Sequence, residues 1–193
     1  MKRITRFRIA GLSAILAPLI AFASISLAIY YSLWFDWTKN ALSDLGARGG
    51  FAEIIFNFGL IIVGLLILIF TSGIFEFLKE NFLGRIGCLI LALDALSLSA
   101  IGIFPETAGR IHFYVSVSFF TLFPLSLILI GLAFVRMAET NLALFTFVVV
   151  SITVFVWALP YGRGVAIPEA LASLSASIWS IILGFRLVKQ ASR

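Results

Sequence analysis

Six long apolar runs, separated by short polar connections, dominate this chain of 193 residues. Hydrophobic residues make up 62% of the sequence and charged residues only 12%, whereas soluble domains carry about 25% charged residues. A water-soluble fold cannot bury so much apolar surface, so the solvent must be the bilayer. The runs are also too long for the alternating strands of a membrane β-barrel, which have roughly ten residues. The pattern therefore predicts an all-α integral membrane protein.

The limits of the apolar runs predict one domain, residues 1–193, with six transmembrane helices arranged as three hairpins. The predicted helices cover residues 9–31, 51–72, 84–104, 110–135, 142–159 and 168–188. The first run follows four basic residues and superficially resembles a signal peptide. It is long enough to span a membrane, so we interpret it as the first transmembrane helix.

Basic residues flank the predicted helices unequally. One side of the membrane carries ten of them, namely Lys2, Arg3, Arg6, Arg8, Lys79, Arg85, Arg136, Arg186, Lys189 and Arg193. The other side carries four, namely Lys39, Arg48, Arg110 and Arg163. Cytoplasmic loops are enriched in Lys and Arg, so we expect a multi-pass cell-membrane protein with both termini in the cytoplasm. Because the charges flank the spans and form no basic patch, we expect no nucleic-acid partner.

Residues 104–113 form a polar turn that contains the only histidine of the chain, His112. Glu106 and Arg110 lie within six positions of it. A lone histidine at a helix end is most often structural, but it can also transfer protons near neutral pH. Glu106 and His112 are therefore candidate catalytic residues. Ser116, one helical turn after His112, is the only serine with such a neighbour in sequence and is a weaker candidate nucleophile.

Other polar residues collect in the three predicted non-cytoplasmic turns. Pro-Glu pairs precede the fourth helix and open the sixth, which suits a helix start because glutamate faces the positive end of the helix dipole. Capping explains each glutamate alone, whereas several carboxylates on one membrane face favour a shared polar site. The candidate ligand-binding residues are Asp44, Glu53, Asn57, Glu106, Arg110, His112 and Glu169. The four carboxylates among them offer an alternative site for a hard cation.

No resident metal or cofactor is expected. The chain has one histidine and one cysteine, Cys88, which excludes a disulfide within the chain and a zinc site with several such ligands. The sequence also lacks a phosphate-binding glycine loop and a dinucleotide fingerprint. We expect Cys88 to be a buried apolar residue.

Asp94 lies near the middle of the third predicted helix, about 15 Å from the polar turn at 1.5 Å per residue. An ionised carboxylate at this depth costs several kcal/mol, so Asp94 is expected to be protonated or to face a polar interior. One interpretation is a hydrogen bond between helices, and the other is a buried proton or substrate site, which makes Asp94 the third catalytic candidate. Potential partners at similar depth are the hydroxyls of Thr121, Ser151, Thr153, Ser175 and Ser177.

Several short motifs occur in a characteristic order. They are Ala-Leu-Ser-Asp-Leu-Gly at 41–46, Phe-Asn-Phe-Gly-Leu at 56–60, Gly-Ile-Phe-Pro-Glu at 102–106 with His112, and Gly-Val-Ala-Ile-Pro-Glu at 164–169 with Trp179. This series resembles an archaeal and bacterial membrane-protein family catalogued as domain of unknown function 998. The resemblance covers almost the whole chain and implies a six-helix membrane protein. It supplies no established substrate or catalytic residue.

Three functions are compatible with the sequence. The first is a pocket near the non-cytoplasmic face that binds or transports a lipid head group, a small solute or a proton. The second is an intramembrane lipid-modifying enzyme that uses Glu106 and His112 as acid and base. The third is an accessory subunit without chemistry of its own. The lack of a strong catalytic motif favours a protein that is not an enzyme. Membrane lipids are the expected partners, and the sequence leaves the oligomeric state open.

Overall fold

The computed structural model describes residues 3–192, which form six long helices that are apolar enough to cross a membrane. These are α1 Arg3–Tyr30, α2 Gly50–Phe77, α3 Phe82–Ile103, α4 Arg110–Arg136, α5 Thr140–Phe155 and α6 Ala166–Ala191. Short 3₁₀ turns occur at Leu42–Gly46, Glu106–Ala108 and Val156–Ala158. The described residues contain no strand. The predicted all-α fold with six membrane-spanning helices is therefore confirmed.

Several helix ends differ from the predicted limits. α1 begins at Arg3 rather than at residue 9, and α2 continues to Phe77, so residues 73–77 are helical rather than part of a connection. α5 ends at Phe155 instead of 159 and continues as the 3₁₀ turn. α6 begins at Ala166, two residues before its proline. Helical hydrogen bonding extends into polar sequence, so the length of an apolar run sets the span but not the helix end.

The bundle has two distinct faces. Six spans place the start of α1 and the end of α6 on one side, here called the terminal face, with the short connections 78–81 and 137–139. The opposite side, here called the loop face, carries the connections 31–49, 104–109 and 156–165. The cytoplasmic position of the terminal face stays a prediction from charge. Lys2 and Arg193, which contribute to that charge bias, lie outside the described residues.

The helices form a closed ring. Each helix packs against its neighbours in sequence, and α6 also packs against α1. A Cβ atom added to Gly11 would lie 2.6 Å from the carbonyl oxygen of Gly184, and one added to Gly184 would lie 2.8 Å from the oxygen of Gly11. Glycine permits this close approach of two backbones, so the first and last helices meet without intervening side chains.

An apolar core fills the half of the ring nearest the terminal face. Trp179 is 1% exposed and packs edge to face against Phe70, with ring centroids 5.7 Å apart. Phe134 and Ile130 are fully buried in the same cluster, which also contains Cys88. The expectation that Cys88 is buried is confirmed. This core closes the interior of the ring toward the terminal face.

Candidate functional site

The Leu42–Gly46 turn covers the opening of the ring at the loop face and is here called the cap. Leu45 in the cap is 1% exposed and packs in a cluster with Phe56 of α2. Asn57 Nδ2 donates a hydrogen bond to the carbonyl oxygen of Gly46, at 3.0 Å. The backbone N–H of Leu42 donates to Glu169 Oε2, at 2.7 Å. The cap is therefore held by both α2 and α6.

Asp44 of the cap lies beside Glu106 in the turn before α4, and their carboxyl groups are within hydrogen-bonding reach. The hydrogen bond with Asp44 raises the pKa of Glu106 to about 7, and burial adds to that shift. Burial also acts to raise the pKa of Asp44, but hydrogen bonds outweigh it and leave that pKa below its usual value. These bonds come from Glu106, Asn40 and the N–H of Ala41. The pair therefore holds a shared proton near neutral pH.

Three of the predicted carboxylates converge. Glu169 lies close enough to Asp44 and Glu106 for their charges to act on it. Glu53 does not join them, because it accepts a hydrogen bond from the N–H of Gly49 and caps α2. Within residues 3–192, no group of three His, Cys, Asp or Glu side chains is arranged to hold a metal ion. The alternative of a hard-cation site built from four carboxylates is therefore not favoured.

His112 contacts its own helix and the preceding turn. Its Nδ1 lies 2.8 Å from the carbonyl oxygen of Phe104, which only accepts, so Nδ1 carries the proton. Nε2 is then an acceptor for the hydroxyl of Ser116, at 3.3 Å. No hydrogen bond described for residues 3–192 joins His112 to Glu106. Arg110 is exposed at the start of α4. The two proposed acid and base groups thus have separate partners, Asp44 for Glu106 and Ser116 for His112.

A cavity of about 90 Å³ lies in the middle of the ring, and Asp94 lines it. Asp94 is 2% exposed, and within the described chain its Oδ1 has no hydrogen-bond partner. The rest of the wall is mainly apolar and largely aliphatic. It also includes five aromatic rings and three serine hydroxyls, contributed by Phe22, Phe70, Phe119, Phe123, Trp179, Ser173, Ser177 and Ser180. An unpartnered carboxyl oxygen beside such a space favours the buried-site interpretation of Asp94.

The hydroxyls expected to bond Asp94 are engaged elsewhere. Thr153 and Ser175 bond to each other across α5 and α6, at 2.8 Å. Thr121, Ser151 and Ser177 each donate to a backbone carbonyl of their own helix. Asp94 therefore does not join helices through any of these five groups.

A second cavity, of about 50 Å³, lies between the cap and the Asp94 cavity. Its wall includes Leu42 of the cap, Glu169 and Ser173, and it shares Ser173 and Phe119 with the deeper cavity. Glu169, Ser173 and Ser177 are spaced by four residues, so they lie along one face of α6. From the sequence, Ser177 was named only as a potential partner of Asp94, and Ser173 was not singled out. The spacing of four residues between Glu169, Ser173 and Ser177 is the sequence signal for a row of polar side chains that runs from the cap toward Asp94.

A groove of about 560 Å³ lies between α4, α5 and α6. Its walls are mainly apolar and include Phe113, 62% exposed, and Val154, 57% exposed. Ser116 and Glu169 also line it, and both border the smaller inner cavity. The groove is therefore a side opening that faces the membrane and reaches the polar residues beneath the cap.

The fold and the site define a polytopic membrane protein with a ring of six helices and an acidic cluster over an internal cavity. The family model described as "Protein of unknown function (DUF998)" matches residues 15–186, so the chain belongs to that family. The resemblance in the sequence motifs is confirmed by this match. No curated protein and no solved structure matches the chain.

Proposed function

We propose that the protein binds a small organic cation of the methylammonium class in the Asp94 cavity, with access from the loop face. The observation that carries this proposal is the buried Asp94 Oδ1, which has no partner among the described residues and borders the cavity. A carboxylate in the membrane interior is costly unless a proton or a cation neutralises it. Exchange of a proton for a cation at Asp94 supplies that neutralisation.

The aromatic and serine side chains in the otherwise aliphatic wall of the cavity suit a cation. Aromatic rings present a negative face to positive charge, and tryptophan, here Trp179, is the strongest of them. The serine hydroxyls offer oxygen acceptors, and none of the described Lys, Arg or His residues lines the cavity. A volume of about 90 Å³ corresponds to about three water molecules at 30 Å³ each. That space favours a solute of a few heavy atoms over a lipid head group.

The loop face provides the route. The acidic cluster of Asp44, Glu106 and Glu169 attracts cations and raises their local concentration. Glu169 and Ser173 then lead inward through the smaller cavity. Entry follows either movement of the cap or the side groove that Ser116 and Glu169 border, whereas the apolar core keeps the terminal side closed. The geometry therefore supports binding from one side, and transport requires a second opening.

Titration of the purified protein with methylammonium chloride and tetramethylammonium chloride, followed by calorimetry, tests the proposal. We expect binding to the native protein and at least tenfold weaker binding to D94N, since the variant removes the only carboxylate among the described residues of the cavity wall. E80Q serves as the matched control because Glu80 is an exposed acid at the terminal face. Equal affinity of D94N and the native protein, or no binding of either cation, would sink the proposal.

A second function, hydrolysis of a lipid ester, is favoured by the contact between Ser116 and His112 beside the groove. Ser116 Oγ attacks the ester carbonyl while His112 Nε2 accepts its proton and returns it to the leaving alcohol. Water then hydrolyses the acyl-serine. A serine within a helix lacks the paired backbone N–H donors that stabilise an oxyanion, so this function ranks second.

Labelling with a long-chain fluorophosphonate distinguishes this second function. A hydrolase becomes labelled at Ser116, and S116A and H112Q abolish the label. Absence of label on the folded native protein excludes the serine mechanism and leaves the cation proposal untouched.

A further inference from the structure

A pocket of about 170 Å³ opens at the loop face beside the start of α2. Its wall includes Tyr31, Ser32, Trp34 and Arg48, together with the first residues of the helix, 50–52. It shares no lining residue with the Asp94 cavity. It is therefore a separate site with different chemistry, since Arg48 supplies a positive charge.

The helix start supplies backbone donors. The first three N–H groups of α2, at residues 50–52, have no partner within the helix, as at any α-helix start. The aligned peptide dipoles of this 28-residue helix place partial positive charge at the same point. Gly49 and Gly50, both with φ of 79°, turn the chain into the helix. Such a start suits an anion.

Arg48 lies at the edge of the pocket. Its guanidinium stacks on the ring of Trp34, with 3.9 Å between the central carbon and the ring centroid. Stacking fixes the plane of the guanidinium and leaves its N–H edge free for a bidentate partner. The charge of Arg48 acts on Asp44 and Glu106, but no ion pair within residues 3–192 includes it.

Ser32 adds an observation independent of the helix start. Its side chain lines the pocket and is only 3% exposed, and within the described chain its Oγ has no hydrogen-bond partner. A buried hydroxyl without a partner destabilises the folded state because it has given up its hydrogen bonds with water. A ligand oxygen in the pocket would accept its proton and remove that destabilisation.

We propose that this pocket binds a phosphate group. Two phosphate oxygens accept from the Arg48 fork, and the others accept from the α2 N–H groups and the Ser32 hydroxyl. The exposed aromatic residues Tyr31 and Trp34 are of the type that marks the membrane–water interface, where lipid phosphates lie. A lipid head group and free phosphate present the same chemistry, so the experiment separates these two sources.

The detergent-solubilised full-length protein provides both arms of the test. Calorimetry with inorganic phosphate, at constant ionic strength, measures the free anion. Native mass spectrometry compares phosphatidylglycerol with a galactosyl diacylglycerol of the same acyl chains, which lacks phosphate. We expect R48Q and S32A each to weaken binding roughly tenfold or more in the arm that binds. R163Q, an exposed arginine of the same face outside the pocket, is the control that keeps its affinity.

Glu53 tests whether the pocket binds a negatively charged ligand. Its carboxylate takes the N–H of Gly49 at the same helix start and opposes an anion there. E53Q keeps an oxygen acceptor but removes the charge, so it should tighten phosphate binding several-fold.

Three outcomes overturn the proposal. One is weaker phosphate binding to E53Q than to the native protein. Another is equal retention of the galactolipid and phosphatidylglycerol together with no binding of inorganic phosphate. The third is binding that both R48Q and S32A retain at native strength. Binding in either arm that R48Q and S32A weaken roughly tenfold or more supports the proposal. An unchanged melting temperature of S32A excludes simple misfolding.

Discussion

At the residue scale, the proton held between Asp44 and Glu106 makes the stability of the folded protein depend on pH. The pKa of Glu106 rises from its ordinary value of 4.5 to about 7 in the folded protein, mainly through its hydrogen bond with Asp44. Between these values the folded state keeps a proton that the unfolded chain releases. The free energy of unfolding therefore falls as the pH rises from about 5 to about 8. Asp44, whose pKa is lowered, contributes its own pH dependence only below this window.

Replacement of Glu106 by glutamine should reduce this dependence. The glutamine side chain cannot ionise and still donates to Asp44, so the unfolding temperature of E106Q should fall less between pH 5 and pH 8 than that of the native protein. Because Glu106 is exposed and screened by solvent, we expect a native slope worth at most about 1 kcal/mol, or a few degrees. Differential scanning fluorimetry at fixed ionic strength measures it, with E80Q as control. A native slope retained by E106Q contradicts the assignment.

The sequence predicted which residues belong to the acidic cluster, but it did not predict that Asp44 and Glu106 form a hydrogen-bonded pair. Asp44, Glu106 and Glu169 could be assigned to one membrane face because helix order and charge bias place their loops together. The bond between Asp44 and Glu106 depends on how the cap folds over the ring, and no spacing in the sequence encodes a contact between two separate loops. For the same reason Glu53 was grouped with them, although local capping at Gly49 holds it apart.

At the element scale, two side-chain hydrogen bonds connect α5 to α6. Trp179 Nε1 donates to Thr146 Oγ1 at 3.1 Å, and Thr153 bonds to Ser175 at 2.8 Å. Both pairs are buried in the interior of the ring. These bonds matter because α5 is the shortest of the six long helices, with 16 residues, and buries few side chains. Small hydroxyl residues here join helices, as serine and threonine commonly do in membranes.

The T146V substitution should destabilise the bundle by about 1 kcal/mol, because the buried indole N–H of Trp179 then lacks an acceptor. Valine keeps the shape of threonine, so packing changes little. Unfolding in graded denaturing detergent measures the loss. L144A, which trims a lipid-facing side chain of the same helix that is 65% exposed, is the control with a smaller effect. If T146V proves as stable as the native protein, the hydrogen bond does not hold α5 against α6.

The elements themselves were largely predictable from the sequence. Hydrophobic run length fixes the number of spans, because each span must cross about 30 Å of hydrocarbon. Closure of the ring was not predictable, since the contact of Gly11 with Gly184 joins opposite ends of the chain. The cavity around Asp94 forms only when the ring closes. Its lining residues come from several helices, so they could not be predicted from the sequence of any one helix.

At the scale of the whole molecule, orientation in the membrane decides which compartment meets the acidic cluster. Excess Lys and Arg at the terminal face predicts that this face is cytoplasmic. On that prediction the loop face, with its acidic cluster and the proposed phosphate pocket, faces outward. The ligands proposed for the two sites would then reach the protein from outside the cytoplasm.

Single cysteines in a C88A background test this orientation. Cys88 is buried and is the only cysteine of the sequence, so its replacement leaves no reactive thiol. A membrane-impermeant maleimide should label R163C at the loop face of intact cells, and E80C at the terminal face only after the membrane is opened. Both positions are exposed in the bundle. The reverse order of labelling would invert the topology and place the acidic cluster in the cytoplasm.

The contact between Gly11 and Gly184 has a consequence for synthesis. Among the six described helices α1 is made before α6, so the two backbones can touch only after α6 has entered the membrane. Until then the five earlier helices leave the side wall made by Ser173, Ser177 and Trp179 missing, so Asp94 borders a gap open to lipid. Of the six described helices, α6 is therefore the one whose entry completes the wall around Asp94.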